Sequence, residues 1–209
     1  MHNPIWAFYL KKAYESNIPD LKKSNFNPII SSQNFTALLC GTAGSTTSKT
    51  FARYIFSRNP KTKLIILDKG DEQIEDSKKT LNSLFPSKNI IYLCEDALKT
   101  SLPRESIDYI ETDGLFEFFS YKDLGKLLKE WDRILKDNGF ITFRAYTNYS
   151  WFTLFFDKIK LFVGNKFLSV KVYAHSKKNL EKILNQSNFK WKVSGKTFLP
   201  GFLRFIMHK

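Results

Sequence analysis

From residue 35 to residue 146, apolar runs of strand length alternate with helical stretches. The chain then finishes in two strands so closely joined that they must be antiparallel. The strand runs are FTALLC (35–40), KLIILD (63–68), NIIYLC (89–94), SIDYIET (106–112) and FITFRAY (140–146). One helix runs to about Arg58, with Phe51, Tyr54 and Ile55 on one face, and Asn59-Pro60 stops it. A second, DEQIEDSKKTLNSLF (71–85), carries acids in its first turns, where the helix dipole favours them. A third opens with Ser120 and Asp123 as a capping box. Its Leu124, Leu127, Leu128, Trp131, Ile134 and Leu135 follow at helical spacing, and Asn138-Gly139 closes it. Such alternation predicts parallel pairing through right-handed crossovers, with helices on both faces of the sheet. The terminal strands KWKVSGK (190–196) and FLRFIMH (202–208) flank a turn containing Pro200-Gly201, and SKKNLEKILNQS (176–187) is a helix capped at Ser176. The expected fold class is α/β: a three-layer sandwich around a mostly parallel, seven-stranded sheet ending in an antiparallel hairpin.

A chain of 209 residues with 43% hydrophobic content can bury one sizeable core and is short for two domains. Residues 4–16 read as a short amphipathic helix and 17–34, rich in Asn, Pro and Ser, as a connecting segment. The division is therefore 1–34 as an N-terminal helix and connector, and 35–209 as the main domain. WFTLFFDKIKLFV (151–163) is helical and strongly aromatic. It reads as a helix packed on the core, or as a lid over an apolar ligand or a lipid-touching surface, with Lys158, Lys160 and Lys166 nearby.

The net charge of +13 admits nucleic acid as a partner. Most of the positive charge is lysine, arginine occurring only at Arg53, Arg58, Arg104, Arg133, Arg144 and Arg204, so a solvated surface is the favoured reading. No apolar run approaches the roughly 20 residues that span a bilayer, and the N-terminus lacks the order of a signal peptide. The expected location is cytoplasmic. Cys40 and Cys94 end apolar runs and form no CxxC pair, so both read as buried core thiols and no metal site is expected.

Open α/β sheets bind ligands beyond the carboxyl ends of their strands. The residues there are Gly41-Thr42-Ala43-Gly44, Asp68, Asp96-Ala97, Asp113-Gly114 and Tyr146. Small residues let backbone amides approach a ligand at a helix N-terminus. An acid ending the second strand can accept from both ribose hydroxyls, and one after the third can meet an adenine amino group. Two other glycine-loop chemistries fail: from Gly41, a dinucleotide fingerprint would need glycine at Ala43 and Thr46, and a P-loop would need it at Ala43 and Ser48.

LLCGTAGSTTS, KLIILDKGDEQIEDSKK, EDALKTSLPRESIDYI and LLKEWDRILKDNGFITF together resemble the class I S-adenosylmethionine-dependent methyltransferases, across residues 35 to 209. The resemblance implies a Rossmann-like fold and an S-adenosylmethionine cofactor held by Gly41, Thr42, Ala43, Gly44, Asp68, Lys69, Asp96, Ala97 and Asp113. Residues facing the acceptor would include Gly114, Glu117, Tyr146, Phe155 and Phe156. Asp113 is the first choice for a polar contact with the nucleophile, and no catalytic residue is assigned. His175 is expected to flank the Ser176 cap, and Glu117 to lie on the surface or face the acceptor. The chain departs from the family in three respects: the family carries an acid two residues before the first loop glycine, whereas Leu38-Leu39-Cys40 has none; the usual G-x-G-x-G is reduced to Gly41 and Gly44; and no Asn-Pro-Pro-Tyr motif follows the fourth strand, where residues 113–119 read DGLFEFF. The implied activity is methyl transfer to a small, apolar acceptor. A non-catalytic binding protein of the same fold and an RNA methyltransferase are the alternatives.

Overall fold

The computed structural model describes residues 4–42, 44–148, 171–173, 175–199 and 201–209. The expected α/β architecture is present. Parallel strands β1 (Thr36–Cys40), β2 (Lys63–Asp68), β3 (Ile90–Cys94), β4 (Ile107–Asp113) and β5 (Leu135–Asn148) are followed, across a two-residue β6 (His175–Ser176), by β7 (Lys190–Lys196) and β8 (Phe202–His208). The sheet order is β3-β2-β1-β4-β5-β8-β7, with β6 added in parallel beside β5, which makes eight strands where seven were expected. β8 runs antiparallel to both β5 and β7. The order reverses at β1, where a crevice opens between β1 and β4 at their carboxyl ends.

Alternation along β1 divides the core. Leu38 and Cys40 join the layer under α4 (Tyr121–Ile134) and α5 (Lys177–Asn185). Ala37 and Leu39 join the layer under α1 (Pro4–Lys23), α2 (Ser45–Arg58) and α3 (Asp71–Leu84). Helix α4 is capped as its sequence implies: Ser120 accepts from the Asp123 amide at 3.2 Å. Ser176 caps α5 in the same way, accepting from the Asn179 amide.

Four sequence readings are corrected. Helix α1 runs on to Lys23 instead of ending near residue 16, with Pro19 inside it. Its Asn, Pro and Ser residues suggested a connector, but the partners of its polar side chains lie far along the chain. Asn17 is buried and donates to Glu111 at 2.7 Å and to the Tyr109 hydroxyl at 2.8 Å, and Asp20 accepts from Arg204 at 2.9 Å. Tyr9, Leu10, Tyr14 and Leu21 are buried in the sheet-facing layer, each contributing about 2 kcal/mol of apolar burial, so α1 is the third helix of that layer. Helix α4 stops at Ile134, and Leu135 already pairs with Ile107. Gly139 lies in the tight return: a Cβ there would sit 2.6 Å from Leu135 Cγ and 2.9 Å from the Lys136 carbonyl. Cys40 is buried, but Cys94 is exposed, its Sγ donating to Asp71 at 2.8 Å, because β3 lies at the sheet edge. Glu117 is buried and not on the surface.

Candidate cofactor site

The carboxyl ends of β1, β2, β3 and β4 surround a cleft of about 600 Å³. Of the sequence-predicted residues, Gly41, Thr42, Asp68, Lys69, Asp96, Ala97 and Asp113 line it. Glu95, Leu115, Phe118 and Phe119 complete much of the wall. Ala43, Phe155, Phe156 and the 149–163 segment lie outside the described residues.

The first loop begins at Gly41, whose φ of +83° suits glycine. Its amide donates to the Leu67 carbonyl at 2.8 Å. A Cβ at this position would sit 2.9 Å from Leu115 Cδ1, so the loop and the wall opposite pack without room for a side chain. Helix α2 then starts without a side-chain cap from Gly44. The Ser45 amide is instead taken by Asp76 of α3 at 2.9 Å, an anion at the positive end of the helix. That bond, chiefly through the Ser45 backbone, holds the Asp76 carboxyl below the usual carboxylate range.

Asp68 is built into the loop. Its Oδ2 accepts the Thr42 amide at 2.6 Å, and its Oδ1 accepts the Gly70 amide at 2.9 Å. Each oxygen has a second acceptor position, so a ribose diol can still be engaged. Asp96 accepts the Leu98 amide at 2.9 Å and pairs with Lys69 at 3.3 Å across the cleft mouth. The Lys69 side chain is 80% exposed, so the pair adds at most about 1 kcal/mol and can be opened by a ligand.

Asp113 occupies the inner end of the cleft. Its Oδ1 accepts from Arg144 Nε at 2.9 Å and from the Tyr9 hydroxyl at 3.1 Å. Arg144 also lies 2.6 Å from Glu111 and stacks on the Tyr14 ring at 5.0 Å. Glu111 additionally accepts from Asn17, Tyr109 and Thr142. Burial pushes the Glu111 carboxyl up, while Arg144, Thr142 and Tyr109 pull it back down.

Gly114 follows in the left-handed conformation at φ +69° and starts the 3-10 turn Leu115–Phe118. Glu117, within that turn, is buried, and its carbonyl accepts the Tyr173 amide at 2.7 Å. Tyr146 is buried against the terminal hairpin, edge-on to Phe202 at 5.6 Å. Gly201 makes room for it, since a Cβ there would lie 2.1 Å from the ring. Gly44, Gly114, Glu117 and Tyr146 are not among the residues lining the cleft. His175 does more than flank a cap: it is buried, and its Nε2–H donates to the Phe116 carbonyl at 2.9 Å, bracing the cleft wall from behind.

Sequence reasoning missed Glu111, Arg144 and Tyr9. Alternation in the run Glu111-Thr112-Asp113 does put both acids on one face of β4. Arg144 stands beside Asp113 in the β4–β5 register, which follows only once those strands are paired. Among the described residues, no cluster of three or more His, Cys, Asp or Glu side chains could hold a metal ion. No helix among them is long and apolar enough to cross a membrane.

The family model described as "Methyltransferase domain" matches residues 40–143, about half of the chain. No curated protein matches the chain by sequence. Solved structures share the fold. Magnesium protoporphyrin IX methyltransferase from Synechocystis PCC 6803, with bound SAH, aligns at TM-score 0.66 and 9% identity, over 96% of this chain and 82% of that one. Geranyl diphosphate C-methyltransferase from Streptomyces coelicolor A3(2) aligns at TM-score 0.63 and 11% identity, over 85% and 69%. Mitomycin 7-O-methyltransferase aligns at TM-score 0.65 and 14% identity over 84% of this chain, which spans about half (49%) of that protein's length. The matched domain contains the first loop, Asp68, Asp96 and Asp113, the residues that gather around the cleft. The chain belongs to the class I S-adenosylmethionine-dependent methyltransferases.

Proposed function

We propose that this chain binds S-adenosylmethionine in the β1–β4 cleft and transfers its methyl group to a small, largely apolar acceptor. The observation that carries the reading is the convergence of Gly41, Asp68 and Asp96 on one cleft. Its charge supports a cationic cofactor over a phosphorylated one. In a chain of net charge +13, the described residues lining the cleft include Asp68, Glu95, Asp96 and Asp113 against Lys69 alone. Asp76 already takes the Ser45 amide at the start of α2, where a phosphate would otherwise be drawn.

Asp68 would hold the ribose hydroxyls, and Asp96, released from Lys69, the adenine edge. Ala97 and Leu98 give that end an apolar floor. The cofactor supplies an activated methyl group on a cationic sulfur, so the protein's task is to align the acceptor in line with it and exclude water. Leu115, Phe118 and Phe119 form an apolar wall suited to a small acceptor. The structurally similar proteins include enzymes whose names specify geranyl diphosphate, magnesium protoporphyrin IX and mitomycin, which also supports a small molecule.

Calorimetry with S-adenosylmethionine tests the proposal. The expected result is saturable binding at micromolar concentration, abolished or strongly weakened by Asp68→Ala. No binding at millimolar cofactor would overturn it and favour a fold retained for a non-catalytic role. Retention of RNA that falls steeply with salt would favour the RNA acceptor instead.

A further inference from the structure

The N-terminal half of α1 has two unlike faces. Trp6 and Tyr9, one turn apart, face inward: Trp6 Nε1 donates to Thr47 Oγ1 at 3.2 Å, and the Tyr9 hydroxyl donates to Asp113. Ile5 and Phe8, also one turn apart and so neighbours on the helix surface, face outward. Ile5 is 73% exposed and Phe8 56%. Phe198, in the turn between β7 and β8, has its ring 6.2 Å from that of Phe8 and is 55% exposed. Single exposed apolar residues are ordinary, but three large ones side by side mark a contact surface.

Cations border this apolar tip. Lys12 lies over the Phe8 ring at 5.8 Å. From Phe8 a groove of about 430 Å³ runs between α1 and α2, and the described residues lining it include Lys11, Arg53 and Arg58 against Glu15 alone. Glu15 is shared loosely by Lys11 and Lys12, at 3.8 Å from each. Arg53 is exposed and makes no ion pair among the described residues. Arg58 stacks on the Tyr54 ring at 3.9 Å and has no carboxylate partner among them either. By contrast, Arg133, Arg144 and Arg204 are all paired with carboxylates.

An apolar tip with a cationic collar fits the surface of an anionic membrane. The apolar side chains enter the boundary of the acyl region, while ammonium and guanidinium groups meet the lipid phosphates. A nucleic acid would engage the cations but leave Ile5 without a partner. We infer that the outward face of α1, together with Phe198 and the α1–α2 groove, is a docking surface for an anionic lipid membrane. Docking here needs neither cofactor nor acceptor, so it stands or falls apart from the methyl-transfer reading.

Sedimentation of the full chain with lipid vesicles tests this. Binding to vesicles of phosphatidylglycerol and phosphatidylcholine in equal parts is expected to be at least tenfold tighter than to phosphatidylcholine alone. Ile5→Ser combined with Phe8→Ser, both at exposed positions, is expected to weaken it at least tenfold. Lys11→Gln combined with Arg53→Gln should cost about tenfold or more. Lys190→Gln combined with Lys192→Gln removes the same charge beside Lys23, which lies about 22 Å along α1 from Phe8, and should change binding less than twofold. Absence of binding to the anionic vesicles, or equal binding without phosphatidylglycerol, would overturn the assignment. So would unchanged binding in the Ile5 and Phe8 variant, because no side chain would then enter the bilayer. An equal loss in the Lys190 and Lys192 variant would overturn it as well, net charge alone then accounting for the attraction. Retention of a single-stranded RNA oligonucleotide without vesicle binding, lost in the Lys11 and Arg53 variant, would make the groove a nucleic-acid face instead.

Discussion

Leu39 and Glu111 stand opposite each other on the adjacent parallel strands β1 and β4. Leu39 lies two residues before the first loop glycine and carries no charge, while the buried carboxylate at this level belongs to Glu111. Arg144 bridges Glu111 and Asp113 from β5, fully buried itself. Removing one partner of a buried charge network leaves the others uncompensated, which costs far more than the network contributes intact. Arg144→Met is therefore expected to lower unfolding stability by about 3–5 kcal/mol, read as a shift of the urea midpoint. A loss below about 1 kcal/mol would mean the two carboxylates are satisfied without it.

Asn17 fastens α1 to the same network by donating to both Glu111 and Tyr109. Replacing it with leucine, close in volume, removes the donor and buries an apolar group against a carboxylate. The expected cost is about 2 kcal/mol. The comparison is with Lys22→Ala, exposed in the last turn of the same helix, which should be close to neutral. Equal effects would indicate that α1 is held by its apolar face alone.

Stability should respond to acid in two windows. Burial lowers the pKa of His175 from 6.5, partly offset by the Phe116 and Phe119 carbonyls. Below pH 6.5 the unfolded chain then takes up a proton that the folded chain resists. The stabilisation is present above the unfolded pKa and is lost as pH falls through the folded one. Glu130 is held down to about 2 by Arg133 and the Thr100 contacts, with burial opposing, so its contribution is lost between pH 4.5 and about 2. Urea titrations of wild type and His175→Gln, from pH 7.5 to 5, should show the slope in the first and a flatter line in the second. Parallel lines would exclude His175 as the source.

Asp68 has two tasks that an amide substitution separates in part. In Asp68→Asn one side-chain oxygen remains to accept the Thr42 or Gly70 amide, but not both. The thermal midpoint should fall by a few degrees, and affinity for S-adenosylhomocysteine at least tenfold. Lys69→Met should leave the midpoint unchanged, since its pair with Asp96 is exposed. An affinity loss in Lys69→Met as large as in Asp68→Asn would assign the ribose end to the wrong residue.

The alternation of strand and helix, the terminal hairpin, and the acids ending β2 and following β3 were all legible in the sequence. Each is a local property, because hydrophobic period, caps and strand-end position depend on residues a few positions apart. The first loop was legible as a glycine-bearing turn between β1 and α2 for the same reason. What only the tertiary structure decided was the fate of polar groups whose partners are distant in the chain. Asn17 and Glu111 are 94 residues apart, and Tyr9 and Asp113 are 104 apart. Those pairings turned an Asn- and Pro-bearing segment into the last turns of a helix. They also placed Arg144 beneath the cleft and oriented Asp113, one of whose oxygens is held by Arg144 and Tyr9. A sequence shows that a carboxylate ends a strand, but whether it is spent inside the fold depends on what packs against it.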